Sequence, residues 1–186
     1  KAAVVQGNWA AEQVKDGDTV IYITGDLGQS TGQERKKGFL DGLNAKRKNV
    51  KVVEVPTTWD QTMAQNGVET ALRANPTAKV IACAWDGGAL GAKAALMAAG
   101  KKAGDVKIAG FDGSPGGLDM MKQGWQSANA AQMLAKIGQV GVETAIAAAE
   151  GKKVDARIDT ASFLVLPSNV DQFAKDSGVA QFMKVK

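Results

Sequence analysis

Histidine is absent from the 186 residues, and cysteine occurs once, at Cys83. The first absence removes Ser-His-Asp and Cys-His catalysis together with every His-ligated metal. The second removes an intramolecular disulfide framework and any cysteine-cluster zinc site. No apolar run approaches the roughly 20 residues that a membrane span needs, and the Ala/Gly-rich stretches are short. Charge of one sign is scarce too: 23 basic and 19 acidic side chains leave a formal charge of +4. The lysine pairs Lys36-Lys37, Lys101-Lys102 and Lys152-Lys153 lie in polar stretches and read as solvated faces, so no nucleic-acid partner is expected. There is no apolar leader segment, and a start at Lys1 reads as a processed or cut product.

What is present is ordinary globular material, 45% apolar and 23% charged. Such a composition excludes disorder and collagen-like repeats, and the length suits one domain with a real core. Short β-branched runs alternate with longer helical patterns. Strands are expected at Thr19 to Thr24, Val50 to Val55, Val80 to Ala84, Val106 to Phe111, Gln126 to Ala130 and Phe163 to Leu166. Helices are expected from Ser30 to Arg47, Asp60 to Ala74, Gly88 to Ala99, Leu118 to Lys122, Met133 to Glu150 and Asn169 to Lys175. Successive β-α units demand right-handed crossovers and a mainly parallel sheet with helices on both faces. The near-continuous apolar strands fit burial on both sides. This predicts a doubly wound α/β fold.

In such folds ligands sit outside the carboxyl ends of the strands. The residues at those ends form a short set. Asp26 follows the first strand, with Arg35 in the helix after it. Trp59 and Asp60 follow the second strand, Trp85 and Asp86 the third, Phe111 and Asp112 close the fourth, and Gln132 follows the fifth. Trp59, Trp85 and Phe111 each stand beside a carboxylate. Flat rings cover the C–H faces of a sugar, while carboxylates, amides and an arginine fork bind its hydroxyls, so the set suits a small neutral polyol. Blander roles fit the same residues: Asp60 and Asp86 as helix N-caps, Phe111 and Trp85 as packing, Arg35 as a surface partner of Glu34 or Asp41. Cys83 reads as a small buried thiol on a central strand.

Two rival chemistries use the same glycines. The loop Gly25-Asp26-Leu27-Gly28-Gln29-Ser30-Thr31-Gly32 joins a strand to a helix, as phosphate loops do. It matches neither GxGxxG nor GxxxxGK[ST], and Asp26 would face the phosphate. A receiver domain would need an acidic cluster after its first strand and a lysine after its last, and neither is evident. A flavodoxin-like enzyme would need a base or cofactor loop, which is also missing. Fold alone licenses no function.

Several motifs together carry a family resemblance. They are Gly28-x-Ser30-x-x-x-Glu34-Arg35-x-x-Gly38-Phe39, Asp86-Gly87-Gly88-Ala89-Leu90-Gly91-Ala92, Gly110-Phe111-Asp112-Gly113-Ser114-Pro115, and Gln132 followed by Ile137-Gly138-x-x-Gly141-Val142. In this order and spacing the chain resembles the periplasmic sugar-binding proteins of ABC importers, the ribose-binding type. The resemblance implies two similar α/β lobes joined by a hinge, closing over one monosaccharide and delivering it to a membrane permease. It implies no enzyme activity and no cofactor. It also implies a periplasmic location, or a cell-surface lipoprotein in a Gram-positive bacterium.

Carried across position by position, Arg35 resembles the family's sugar-binding arginine, Asp112 the carboxylate after the Gly-Phe strand, and Gln132 the amide near the hinge. Trp59 stands for an aromatic that packs on the sugar ring, and Phe111 for a contact at its edge or one just behind the residues that touch it. Asp86 joins the site beside Trp85. Trp85 replaces an asparagine and Asp26 an aliphatic residue of the ribose binder, which points to a different or larger polyol. The resemblance covers a single carboxyl-terminal lobe, residues 1–186, with the amino-terminal lobe missing. Residues 131–150 correspond to a helix of that missing lobe. Its apolar face (Ile137, Val140, Val142, Ala145, Ile146) is then expected to be exposed unless the chain dimerises or the helix folds back. Half a clamp should bind no better than millimolar, since each exposed hydrogen bond nets only about 0.5–1.5 kcal/mol. The alternative is the effector-binding core of a LacI-type transcriptional regulator, which shares the Arg-x-x-Gly-Phe and Gly-Phe-Asp elements. Against it stand the lack of a DNA-binding headpiece and the Asp112-Gly113-Ser114-Pro115 run followed by Gln132.

Overall fold

The computed structural model describes residues 1–185. Six strands, β1 (Thr19–Ile23), β2 (Lys51–Val55), β3 (Val80–Cys83), β4 (Lys107–Asp112), β5 (Gln126–Gln132) and β6 (Ser162–Val165), form one sheet in the order β2-β1-β3-β4-β5-β6. All neighbours are parallel except β6, which runs antiparallel to β5. Helices α2 (Ser30–Lys46), α3 (Gln61–Ala74), α4 (Asp86–Ala98) and α5 (Pro115–Lys122) make the crossovers. The fold is thus doubly wound α/β, as the sequence predicts.

Alternation along β1 separates the two cores. Val20 and Tyr22 face one layer with Trp9, Phe39 and Leu43. Ile21 and Ile23 face the other with Val68, Ala92 and Leu96. Successive strand residues point to opposite faces, so a fully apolar strand is what a sheet covered on both sides requires.

The first fourteen residues give no element to sequence reading, yet α1 (Ala2–Gln13) forms there. Its Ala, Gly and Gln residues draw only a faint apolar stripe. The helix is decided by its partner, α2. Gly7 lies against the Phe39 carbonyl and Gly42 against the Val4 carbonyl, where an added Cβ would stand 2.1 and 2.2 Å from oxygen. Paired glycines therefore let the two helices cross closely. Gln6 of α1 is buried and donates through Nε2 to the carbonyls of Cys83 and Gly110, both at 2.9 Å, and to that of Ala109 at 3.2 Å. One amide side chain thereby pins α1 across the ends of β3 and β4.

Helix α6 (Leu134–Ala149) has no buried residue. Leu134, Ile137, Val142 and Ile146 are 38–62% exposed. It does not fold back onto the sheet. The chain closes with α7 (Val170–Asp176) and a 3-10 turn, Val179–Phe182. Element ends differ from expectation by a few residues: α4 begins at Asp86 rather than Gly88, and α5 at Pro115 rather than Leu118. In α5 the Ser114 hydroxyl accepts the Gly117 N–H, a side-chain cap with proline next in sequence. No helix of the described residues is long and apolar enough to cross a membrane.

Candidate functional site

The winding direction reverses between β1, whose crossover leads to β2, and β3, whose crossovers lead to β4 and β5. A crevice opens at the carboxyl ends there, where α/β folds bind ligands. Helix α2 enters that crevice, and Arg35 in its second turn reaches inward. The Arg35 Nη1 donates to the Ala84 carbonyl at the end of β3 and lies 3.0 Å from Asp112 Oδ1 at the end of β4. Its guanidinium carbon stands 4.1 Å from the Phe111 ring centroid and 5.6 Å from that of Trp59. A delocalised cation over aromatic faces is held electrostatically as well as sterically.

Gln132, at the end of β5, donates through Nε2 to the same Asp112 Oδ1 at 2.7 Å. Among the described residues Asp112 Oδ2 accepts no hydrogen bond, and Arg35 Nη2 and Nε donate none. Three adjacent strand ends and one helix thus converge a cation, a carboxylate and an amide with unused donors and acceptors. Arg35, Phe111 and Gln132 line a cleft of about 310 Å³, closed on its far side by Glu34, Lys1 and residues 157–160. Sequence reasoning did not include that far wall. A groove of about 290 Å³ between α3 and α4 is lined by Leu72, Pro76 and Ala95 together with the charged Glu69, Arg73 and Lys101. It lies away from the carboxyl ends of the strands, where ligands of this fold class sit.

The two tryptophans meet on the other side of Arg35, edge to face at 5.4 Å. Trp59 occupies the left-handed region, φ +62°, which is rare for a bulky residue. Three contacts hold it there. Its N–H donates to Thr57 Oγ1, its indole Nε1 donates to Gln29 Oε1 at 3.0 Å, and its ring lies flat over Gly25. A Cβ on Gly25 would come within 2.0 Å of that ring. The Trp85 ring folds back over Gly87 and Gly88, where added Cβ atoms would fall 2.4 and 2.8 Å from it. The paired glycines make room for the indole. Gln29 was missed by sequence reading because its partner Trp59 lies thirty residues along, in the loop after β2.

The remaining expected residues divide. Phe111 is buried as the floor beneath the guanidinium. Asp60 is the N-cap of α3, accepting the Met63 N–H at 2.7 Å. Asp26 turns into its own loop and accepts from the Gly28 N–H at 2.8 Å and from Gln29 Nε2. Asp86 is the main correction. It is 3% exposed and spends its carboxylate on Ser114 and Asn129 rather than on the cleft. Burial pushes its carboxyl up to about 7 against the opposing hydrogen bonds from Ser114 and Asn129, with the Asp112 charge adding to the rise. Cys83 is also buried, and burial raises its thiol well above the usual range. Among the described residues no group of three or more His, Cys, Asp or Glu side chains could hold a metal ion.

The arrangement brings together a fixed cation, one free carboxylate oxygen and an amide above an aromatic floor, groups whose chemistry suits hydroxyls on a ring with apolar faces. The sequence profile of a family described as periplasmic binding protein domain matches residues 1–153. Over 153 residues the chain is 36% identical to the ribose import binding protein of Salmonella typhimurium, covering 82% of this chain and 51% of that one. It is 32% identical over 139 residues to the D-allose-binding periplasmic protein of Escherichia coli, covering 75% and 44%. An ABC transporter solute binding protein from Bacillus halodurans, solved with bound myo-inositol, superposes with a TM-score of 0.83 at 27% identity, covering 93% of this chain and 60% of that one. The chain spans about half the length of the curated relatives it matches.

Proposed function

Since this chain belongs to the periplasmic binding protein family, we propose that it carries one half of a two-lobed site for a monosaccharide or similar polyol, in the service of an ABC sugar importer. The observation that carries this reading is the meeting of Arg35 and Gln132 on one oxygen of Asp112, above Phe111 and beside Trp59. In it the Arg35 fork and Asp112 Oδ2 bind neighbouring hydroxyls, Gln132 orients the carboxylate, and the rings of Trp59 and Trp85 cover a C–H face. Trp85 in place of an amide favours a larger or less polar ring than ribose. The function is binding rather than catalysis, in keeping with relatives named for ribose import and D-allose binding. Those relatives favour transport over the LacI-type regulator core.

The wider reading follows from the family. The partner is a membrane permease, and the location is periplasmic or cell-surface. Helix α6, with its exposed Ile137, Val142 and Ile146, seats against the remainder of the two-lobed protein. In this chain alone the same face is where a second copy would associate.

Two-dimensional amide NMR against a panel of pentoses, hexoses and myo-inositol at high millimolar concentration tests the site. The expected result is a set of shifts confined to the Trp59 and Trp85 indoles and the neighbours of Arg35 and Asp112, with one sugar dominant. Silence across the panel in a well-dispersed spectrum, repeated with the full two-lobed protein, would overturn the ligand class.

A further inference from the structure

The Asp86 carboxylate grips both sides of the turn that carries Asp112. Its Oδ2 accepts from the Ser114 N–H and from Ser114 Oγ, each at 2.8 Å. Its Oδ1 accepts from Asn129 Nδ2 at 2.6 Å, and Asn129 Oδ1 accepts the Gly113 N–H at 2.9 Å. Residues 113 and 114 are therefore anchored to one buried side chain, directly and through one amide. Asp112, just before them, sits at φ +98°, and Gly113 at +73°. A non-glycine residue persists in that region only where its surroundings over-determine the backbone.

The space around the carboxylate is shaped for it. A Cβ on Gly110 of β4 would stand 2.4 Å from Asp86 Oδ1, and one on Gly117 of α5 would stand 2.3 Å from Asp86 Cγ. Helix capping does not account for this arrangement. Ser114 Oγ already caps α5, and Asp86 lies inside the first turn of α4 with its oxygens turned toward β5 and the β4–α5 turn.

We propose that Asp86 is a positioning residue for the ligand: through Ser114 and Asn129 it sets the backbone of Asp112, so that the Asp112 carboxylate stands against Arg35 and Gln132 before a ligand arrives. The proposal rests on the reading of Asp112 as a polyol-binding group. A site preset in this way loses less freedom on binding, which raises affinity without a new contact.

The test uses this chain at pH 8, where the Asp86 carboxylate is ionised, with two readouts: the Gly113 amide and Asp112 side-chain carboxyl resonances without ligand, and the affinity for D-ribose, D-allose and myo-inositol. Asp86→Asn sets an amide N–H against a donor of Asn129 or Ser114. It is expected to shift both resonances and weaken binding about tenfold, the scale of a lost hydrogen bond to a charged group. Asp86→Asn combined with Asn129→Asp reverses the donor at their contact and satisfies every partner again, so it should restore both readouts. If the single variant does not fold, Ser114→Ala removes one contact and should move the same resonances. Unmoved resonances in the folded variants, or a double variant that recovers its fold but neither readout, would overturn the proposal. If neither the unsubstituted chain nor the full two-lobed protein binds any of the three sugars, the reading of the site fails, and the ligand-free resonances alone decide whether Asp86 sets the turn.

Discussion

Arg35 of helix α2 and Asp112 at the end of strand β4 meet at 3.0 Å with side chains 17% and 23% exposed. A pair in this position is half-screened by water, so its value lies in orientation more than in stability. The guanidinium is fixed by the Ala84 carbonyl and the Phe111 ring. It presents its remaining N–H groups as a rigid fork.

Arg35→Lys should therefore separate charge from geometry. A lysine keeps the cation but cannot fork or stack. The expected result in a sugar titration is a loss of affinity of about tenfold or more, with the midpoint of urea unfolding little changed. Full affinity in Arg35→Lys would remove bidentate recognition from the account.

Gly25→Ala should damage the tryptophan side of the site. The added methyl would meet the Trp59 ring at 2.0 Å, and overpacking of this kind costs about 1–3 kcal/mol. Expected outcomes are a lower urea midpoint and a changed Trp59 indole resonance. Trp59→Phe in the same background removes part of the clash and should recover part of the stability.

Asp86 should make stability depend on pH. Its carboxyl is raised from the ordinary carboxylate range to about 7, so between roughly pH 4 and 7 the folded chain binds a proton that the unfolded chain has released. Stability from this group is fully present below that window and is lost as pH rises through 7, by on the order of a few kcal/mol. Asp112 and Cys83 are its titratable neighbours. Unfolding free energies at pH 5 and pH 8 check the sign, and Asp86→Asn should flatten that difference.

Helix α6 should be dispensable for the stability of this chain. Because none of its residues is buried, Ile137→Ala and Ile146→Ala are expected to change the unfolding free energy by no more than about 0.5 kcal/mol. Sedimentation should reveal any self-association through the same face, which Val142→Asp with Ile146→Asp would abolish. In a two-lobed protein the alanine substitutions should instead cost the several-fold larger amounts typical of buried positions.

The sheet and its crossovers were legible in the residues because β-branched runs and 3.6-residue stripes report burial locally. Arg35, Asp112 and Gln132 were legible because parallel winding puts strand ends on one edge, whatever the side chains then do. Three things needed the tertiary structure. Helix α1 is held by glycine contacts to α2 and by the Gln6 amide on β3 and β4, neither of which leaves a periodic trace. Helix α6 has a sound amphipathic pattern but no surface in this chain to bury it. Asp86 follows a strand just as Asp112 follows one, and the sequence treats the two alike. One meets Arg35 and Gln132, which line the cleft, and the other faces inward, because side-chain direction is set by partners such as Ser114 and Asn129 that lie far along the chain. Spacing along the sequence decides which residues reach the edge of the sheet, and only packing between distant segments decides which of them face a ligand.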